Sequence, residues 1–154
     1  MAISRWLLVA ALLFPIPGLA GCVGGSINTV LTGSSPSPTP DAFACVRQQL
    51  KALEFDQTSL DVNDYRVTAR KFNLAVRRPD VQFRRMVDRL EIRVAPGTGE
   101  QVTSLSVTAR TFAELTTQRG PTEEQERTSE TARVAAQTIL DRCGAPVASP
   151  AGQG

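Results

Sequence analysis

Arg89-Leu-Glu-Ile-Arg-Val-Ala-Pro-Gly-Thr-Gly-Glu-Gln-Val-Thr-Ser-Leu-Ser-Val-Thr-Ala-Arg110 decides the fold. Leu90, Ile92 and Val94 alternate with Arg89, Glu91 and Arg93. After a break at Ala95–Glu100, Leu105, Val107 and Ala109 alternate with Ser104, Ser106, Thr108 and Arg110. A period of two with one apolar and one polar face is the pattern of a half-buried strand. Two such runs joined by a glycine-rich turn predict an antiparallel hairpin.

Working outward, Tyr65, Val67 and Ala69 alternate with Arg66, Thr68 and Arg70 and predict a third strand. Asp56–Val62 fits a weaker edge strand, and Asn73–Phe83 a long loop or a strand extension. Asp41 to Leu53 reads as a helix, with Phe43, Val46, Leu50 and Leu53 on one stripe. Thr122 to Cys143 reads as another, opened by Pro121 and early acids and lined by Ala132, Ala135, Ala136, Ile139 and Leu140. The expected fold is therefore α+β: a two-layer sandwich, with N- and C-terminal helices on one face of a three- or four-stranded antiparallel sheet.

The flanks have a different composition. Residues 22–40 are rich in Gly, Ser, Thr and Pro and read as a flexible tether, and 144–154 as a disordered tail. One domain, 41–143, remains, long enough for a single core. At the front, Arg5 precedes nine apolar residues, Trp6–Phe14, and the run closes on Leu19-Ala20-Gly21-Cys22. A charged start, a short apolar run and a small-residue cleavage site are the parts of an export signal. The cysteine placed directly after Leu-Ala-Gly resembles the lipobox of bacterial lipoproteins. That resemblance covers the first 22 residues and implies cleavage before Cys22, with its sulfur and new amino terminus acylated. An ordinary secretory peptide would instead leave Cys22 free or in a disulfide, and the tether-like Val23-Gly24-Gly25-Ser26 after it argues for the lipid. Val23 is not the aspartate associated with inner-membrane retention in some bacteria, which favours the outer membrane where two exist. The expected location is the cell envelope, with the domain facing the periplasm or the cell exterior. The expected architecture, without any shared motif, also loosely resembles that of lipopolysaccharide-assembly lipoproteins.

Removing residues 1–21 takes one of the 17 basic side chains and none of the 15 acidic ones, so overall charge stays near neutral. Neutrality, and few aromatics beside the arginines, speak against nucleic acid as a partner. The chain has no histidine, which removes the commonest general base and metal ligand. Cys45 and Cys143 are too few for a four-cysteine zinc site, and Gly97-Thr98-Gly99 reads as a turn, not a phosphate loop. Neither a cofactor nor a metal is expected. Asp61, Asp64, Glu123, Glu124, Glu126 and Glu130 read as turn and helix-start residues, not as catalytic acids.

Cys45 lies in the first helix and Cys143 ends the last, both at apolar positions. Side-by-side helices would let them pair in an oxidising compartment; the alternative is two separate buried thiols. The strongest charge asymmetry is in the middle, with nine basic residues against three acids between Arg66 and Arg93. Alternation puts Arg66, Arg70, Arg89, Arg93 and Arg110 on the face away from the helices. Two readings follow: an anion-binding face for lipid headgroups, lipopolysaccharide or acidic polymer, or a solvated face whose arginine stems cover apolar strand surface. The sequence as a whole reads as a non-catalytic, lipid-anchored binding or scaffolding module with an envelope protein partner.

Overall fold

A computed structural model describes residues 27–97 and 103–144. Its core is the expected hairpin, longer than the alternation alone indicates. Strands β4 (Phe83–Pro96) and β5 (Thr103–Thr117) pair antiparallel from Phe83↔Leu115 to Pro96↔Thr103. The turn joining them, 98–102, lies outside the described residues.

Strand β3 (Arg66–Asn73) adds to the other edge of β4, and β2 (Asp56–Asp61) to β3, both antiparallel. The turn between β2 and β3 is built by Asp61, whose carboxylate accepts from the backbone N–H groups of Asn63 and Asp64. That is the backbone role expected of an aspartate in a turn.

Two further strands correct the sequence reading. Residues 29–35, expected in the tether, form β1 (Thr29–Ser35), which pairs with β5 from Thr29↔Ala109 to Ser35↔Thr103. Residues 36–38 lead directly into helix α1 (Thr39–Ala52), so the folded chain begins well before Asp41. The wholly polar stretch expected to open the last helix is instead β6 (Gly120–Glu126), paired with the far half of β5 from Thr111↔Glu126 to Thr117↔Gly120. Helix α2 (Glu130–Cys143) starts later, capped by Ser129, whose Oγ accepts from the Ala132 N–H. The sheet thus has six strands instead of three or four, in the order β1-β5-β4-β3-β2, with β6 also on β5. β1 and β6 lie end to end along one edge of β5.

Both helices cover the half of the sheet nearest the β4–β5 turn. Val67, Ala69, Leu90, Ile92, Val94, Leu105, Val107 and Ala109 share one face by strand parity, and pack with Val46, Leu50, Ala136 and Ile139 in one cluster. Each fully buried Val, Leu or Ile side chain here contributes about 1.5–3 kcal/mol. Cys45 and Cys143 join the helices in a disulfide, with Cα atoms 5.7 Å apart. At the end of α2 the chain passes close to β1. A Cβ on Gly144 would lie 2.6 Å from the Leu140 carbonyl oxygen and 3.0 Å from that of Ser34, so glycine is required by the close approach. The tail beyond it, 145–154, lies outside the described residues.

The far half of the sheet has no helix over it. There Met86, Ala113 and Leu115 form a second, smaller cluster with Phe83. Between the two clusters, on the same face, runs a polar layer. Asp88, fully buried, accepts from the hydroxyls of Thr111 (2.6 Å) and Ser129 (2.7 Å), and the Ser129 N–H donates to Thr111 Oγ1. This fastens the start of α2 to the middle of the sheet, where a carboxylate also favours the helix dipole.

Candidate functional site

The five arginines singled out from the sequence do meet on the face opposite the helices. Register places Arg66 beside Arg93, and Arg70, Arg89 and Arg110 in one row across β3, β4 and β5. Between these rows runs Thr68–Glu91–Thr108. So far the expectation and the geometry agree.

What the sequence did not reveal is how much of this charge is already used. Glu91, between the rows, pairs with Arg66 at 3.2 Å and approaches Arg110 at 3.9 Å. Arg89 donates to Glu123 of β6 at 2.6 Å. Toward the far end, Arg84 and Arg85 share Glu114, at 2.8 and 2.7 Å. Glu114 is largely buried, so this shared pair is shielded better than an ordinary surface bridge.

The same arginines also cover aromatic surface. Phe72, Val87 and Phe112 form one cross-strand row on this face. The Arg85 guanidinium lies 3.7 Å and that of Arg70 4.9 Å from the Phe72 ring centre, and Arg89 lies 4.8 Å from that of Phe112. Val87 is only 1 % exposed although no helix covers this face. Flat, weakly hydrated guanidinium groups stack on aromatic rings and keep their charge in water. The few aromatics expected beside the arginines do include two on the open face, Phe72 and Phe112, but arginines occupy them.

Arg93 is the exception. It is exposed, and among the described residues it has no carboxylate or ring partner. With Arg66, Glu91, Ser106 and Thr108 it lines a recess of about 150 Å³. A larger recess of about 480 Å³ joins its other side to Tyr65, Val94 and the β2–β3 turn. On the helix face, a third recess of about 350 Å³ lies between Leu53, Phe55, Val134 and Ala135, beside Lys71. The Lys71 ammonium is held there by the Leu53 carbonyl oxygen (3.0 Å) and Glu54 (3.1 Å).

No family model matches the chain, and neither does any curated protein. Geometry and sequence carry the functional reading. Among the described residues no group of three or more His, Cys, Asp or Glu side chains could hold a metal ion. No described helix is long and apolar enough to cross a membrane. Cys22 and residues 1–21, expected to be an export signal, lie outside the described residues.

The residues that sequence reasoning missed are Glu114, Glu123, Phe72, Val87 and Phe112. Strand parity from Arg70 and Arg110 would have placed Phe72 and Phe112 on the arginine face. Glu123 needed the register of β6, which a helical reading of 122–143 hides.

Proposed function

We propose that this chain is a lipid-anchored cell-envelope lipoprotein whose domain is a non-catalytic binding or scaffolding module. The observation that carries the reading is Leu19-Ala20-Gly21-Cys22, placed after a charged start and a short apolar run. Acylation at Cys22 supplies the membrane attachment, since more than one acyl chain makes anchoring stable. A disulfide between the two helices suits a small domain working in an oxidising envelope. The partner is an envelope protein met close to the membrane, and nucleic acid is not one.

A second reading is favoured by Arg93. Its uncommitted guanidinium, with the Ser106 and Thr108 hydroxyls beside it in a recess also lined by the Arg66–Glu91 pair, fits an anionic group of lipid, lipopolysaccharide or acidic polymer. Arg66, Arg70, Arg89 and Arg110 serve this reading less well, because carboxylates and rings already hold them.

Intact mass of the membrane-bound protein tests the first reading. The expected mass is that of a chain beginning at Cys22 with acyl groups, and Cys22→Ser should release the protein from the membrane. A mature chain without lipid would contradict it. Photo-crosslinking in cells from a probe at position 93 separates the two readings. A discrete protein adduct favours the module, and a salt-sensitive lipid or polysaccharide adduct favours the anion site.

A further inference from the structure

The point at which the chain enters the domain limits which surface can reach the bilayer. Ile27, where the described chain begins, accepts at its carbonyl oxygen from the Thr128 N–H (3.2 Å) and hydroxyl (3.0 Å), and the Gln125 side chain bonds Asn28. The chain therefore joins the domain at the seam between β1 and β6, half way along β5. Five residue steps separate Ile27 from Cys22, a reach of at most about 18 Å. With β1 paired along the edge of the sheet, the long tether expected from composition shortens to these five steps. A lipidated Cys22 would keep the seam within about 18 Å of the membrane.

The segment 74–82, between β3 and β4, ends at the far end of β5, where the Gln82 carbonyl oxygen accepts from the Thr116 N–H at 2.7 Å. Its middle reaches back toward that seam through Arg78. Arg78 spans to Glu126 at 3.0 Å, and Glu126 pairs with Thr111 next to Thr128. Arg78 also lies 5.1 Å from the ring centre of Phe83, so the segment caps the small apolar cluster that no helix covers. The segment exposes three apolar side chains, with Val81 at 101 %, Leu74 at 65 % and Val76 also exposed, and one carboxylate, Asp80, which accepts from the Gln82 N–H. Ile27 is exposed at the seam itself. Arg77, within the segment, has no partner among the described residues.

Apolar side chains flanked by free arginine charge suit an interface of anionic phospholipid. Among the other exposed apolar side chains, Leu60 and Val62 lie beside two carboxylates, Asp61 and Asp64, where segment 74–82 has one, Asp80, against two arginines, and Val30 and Val134 lie singly on β1 and α2. On β6, Arg89 and Arg78 already neutralise Glu123 and Glu126, which leaves Glu124 as the opposing carboxylate on that strand.

We infer that segment 74–82 is a membrane-contact surface, pressing Leu74, Val76 and Val81 into the headgroup region of the bilayer that holds this chain's own lipid, with Arg77 on the anionic headgroups. The inference rests on the lipid-anchor reading.

The test uses the full-length lipidated protein in phosphatidylglycerol–phosphatidylethanolamine vesicles containing brominated lipid. A fluorophore is placed at Val81→Cys, or at Ser59→Cys on the opposite edge strand as the reference. Bromolipid should quench the probe at 81 several-fold more than the probe at 59, and Arg77→Glu should remove most of that difference. Equal, weak quenching at both sites in a protein whose mass shows acylated Cys22 would overturn the inference and leave the anchor standing. A mass without lipid would overturn both. Shielding at 81 that follows protein density instead of bromolipid content would assign the surface to a second copy of the chain, and would equally overturn the inference.

Discussion

The two halves of the sheet share strands β4 and β5 but are closed by different means. Near the β4–β5 turn, two helices lie over the apolar face and a disulfide ties them together. At the far end a connecting segment stands in for a helix, and ion pairs and guanidinium stacks do much of the covering. The first half contains Leu90, Ile92, Leu105 and Val107, all fully buried. The second has Met86, Ala113 and Leu115 under a segment with exposed valines. Stability should therefore come mostly from the first half, and adaptable surface from the second.

The largest effect should follow removal of the bridge. Its partners are 98 residues apart, and in the chain-entropy model a loop of that size contributes about 4–5 kcal/mol. Denaturant unfolding of Cys45→Ser/Cys143→Ser should show this loss, and an unchanged midpoint would mean that the helices hold the half closed by packing alone.

Next come the two clusters compared directly. Ile92→Ala should cost about 3–4 kcal/mol, whereas Met86→Ala, beneath a segment that can settle into the space, should cost about 2 kcal/mol. Equal losses would show the two halves to be equally well packed.

The boundary between the halves can be broken at Asp88. Asp88→Ala strands the hydroxyls of Thr111 and Ser129 and should cost about 2 kcal/mol. The loss should appear as faster amide exchange in the first turn of α2, ahead of the rest of that helix.

Smaller still is Glu114→Gln, which frees Arg84 and Arg85. Both arginines reach water, so about 1–2 kcal/mol is expected. Arg93→Gln should leave stability within about 0.5 kcal/mol, because nothing in the fold depends on it. If it carries an anion site, salt-sensitive crosslinking from the recess should still be lost.

The same contrast explains what the sequence made legible. Wherever one face of a strand is buried under the helices, alternation is strong, and the hairpin, most of β3 and the stripe of α1 were readable; Tyr65, expected in β3, instead lies in the β2–β3 turn with φ +45°. The cysteines were readable because both fall at apolar positions on helices that cover one sheet face. β1 and β6 were not. Edge strands are held chiefly by backbone hydrogen bonds, which leave no side-chain period. Thr29–Ser35 carries Val30, Leu31 and otherwise small residues, so its composition matches that of a tether. Gly120–Glu126 is polar on both faces, and its early acids imitate a helix start. Missing β6 also hid the partner of Arg89, and so the degree to which the arginine face neutralises itself.

Hydrogen exchange on the lipidated protein, in detergent and then on anionic vesicles, tests the contrast and its functional meaning together. In detergent, amides of 74–86 and 113–117 should exchange faster than those of 90–94 and 105–109. On vesicles, protection should rise in 74–82 and leave the β2–β3 turn unchanged. Uniform exchange across both halves, or protection gained at the β2–β3 turn instead, would contradict the account.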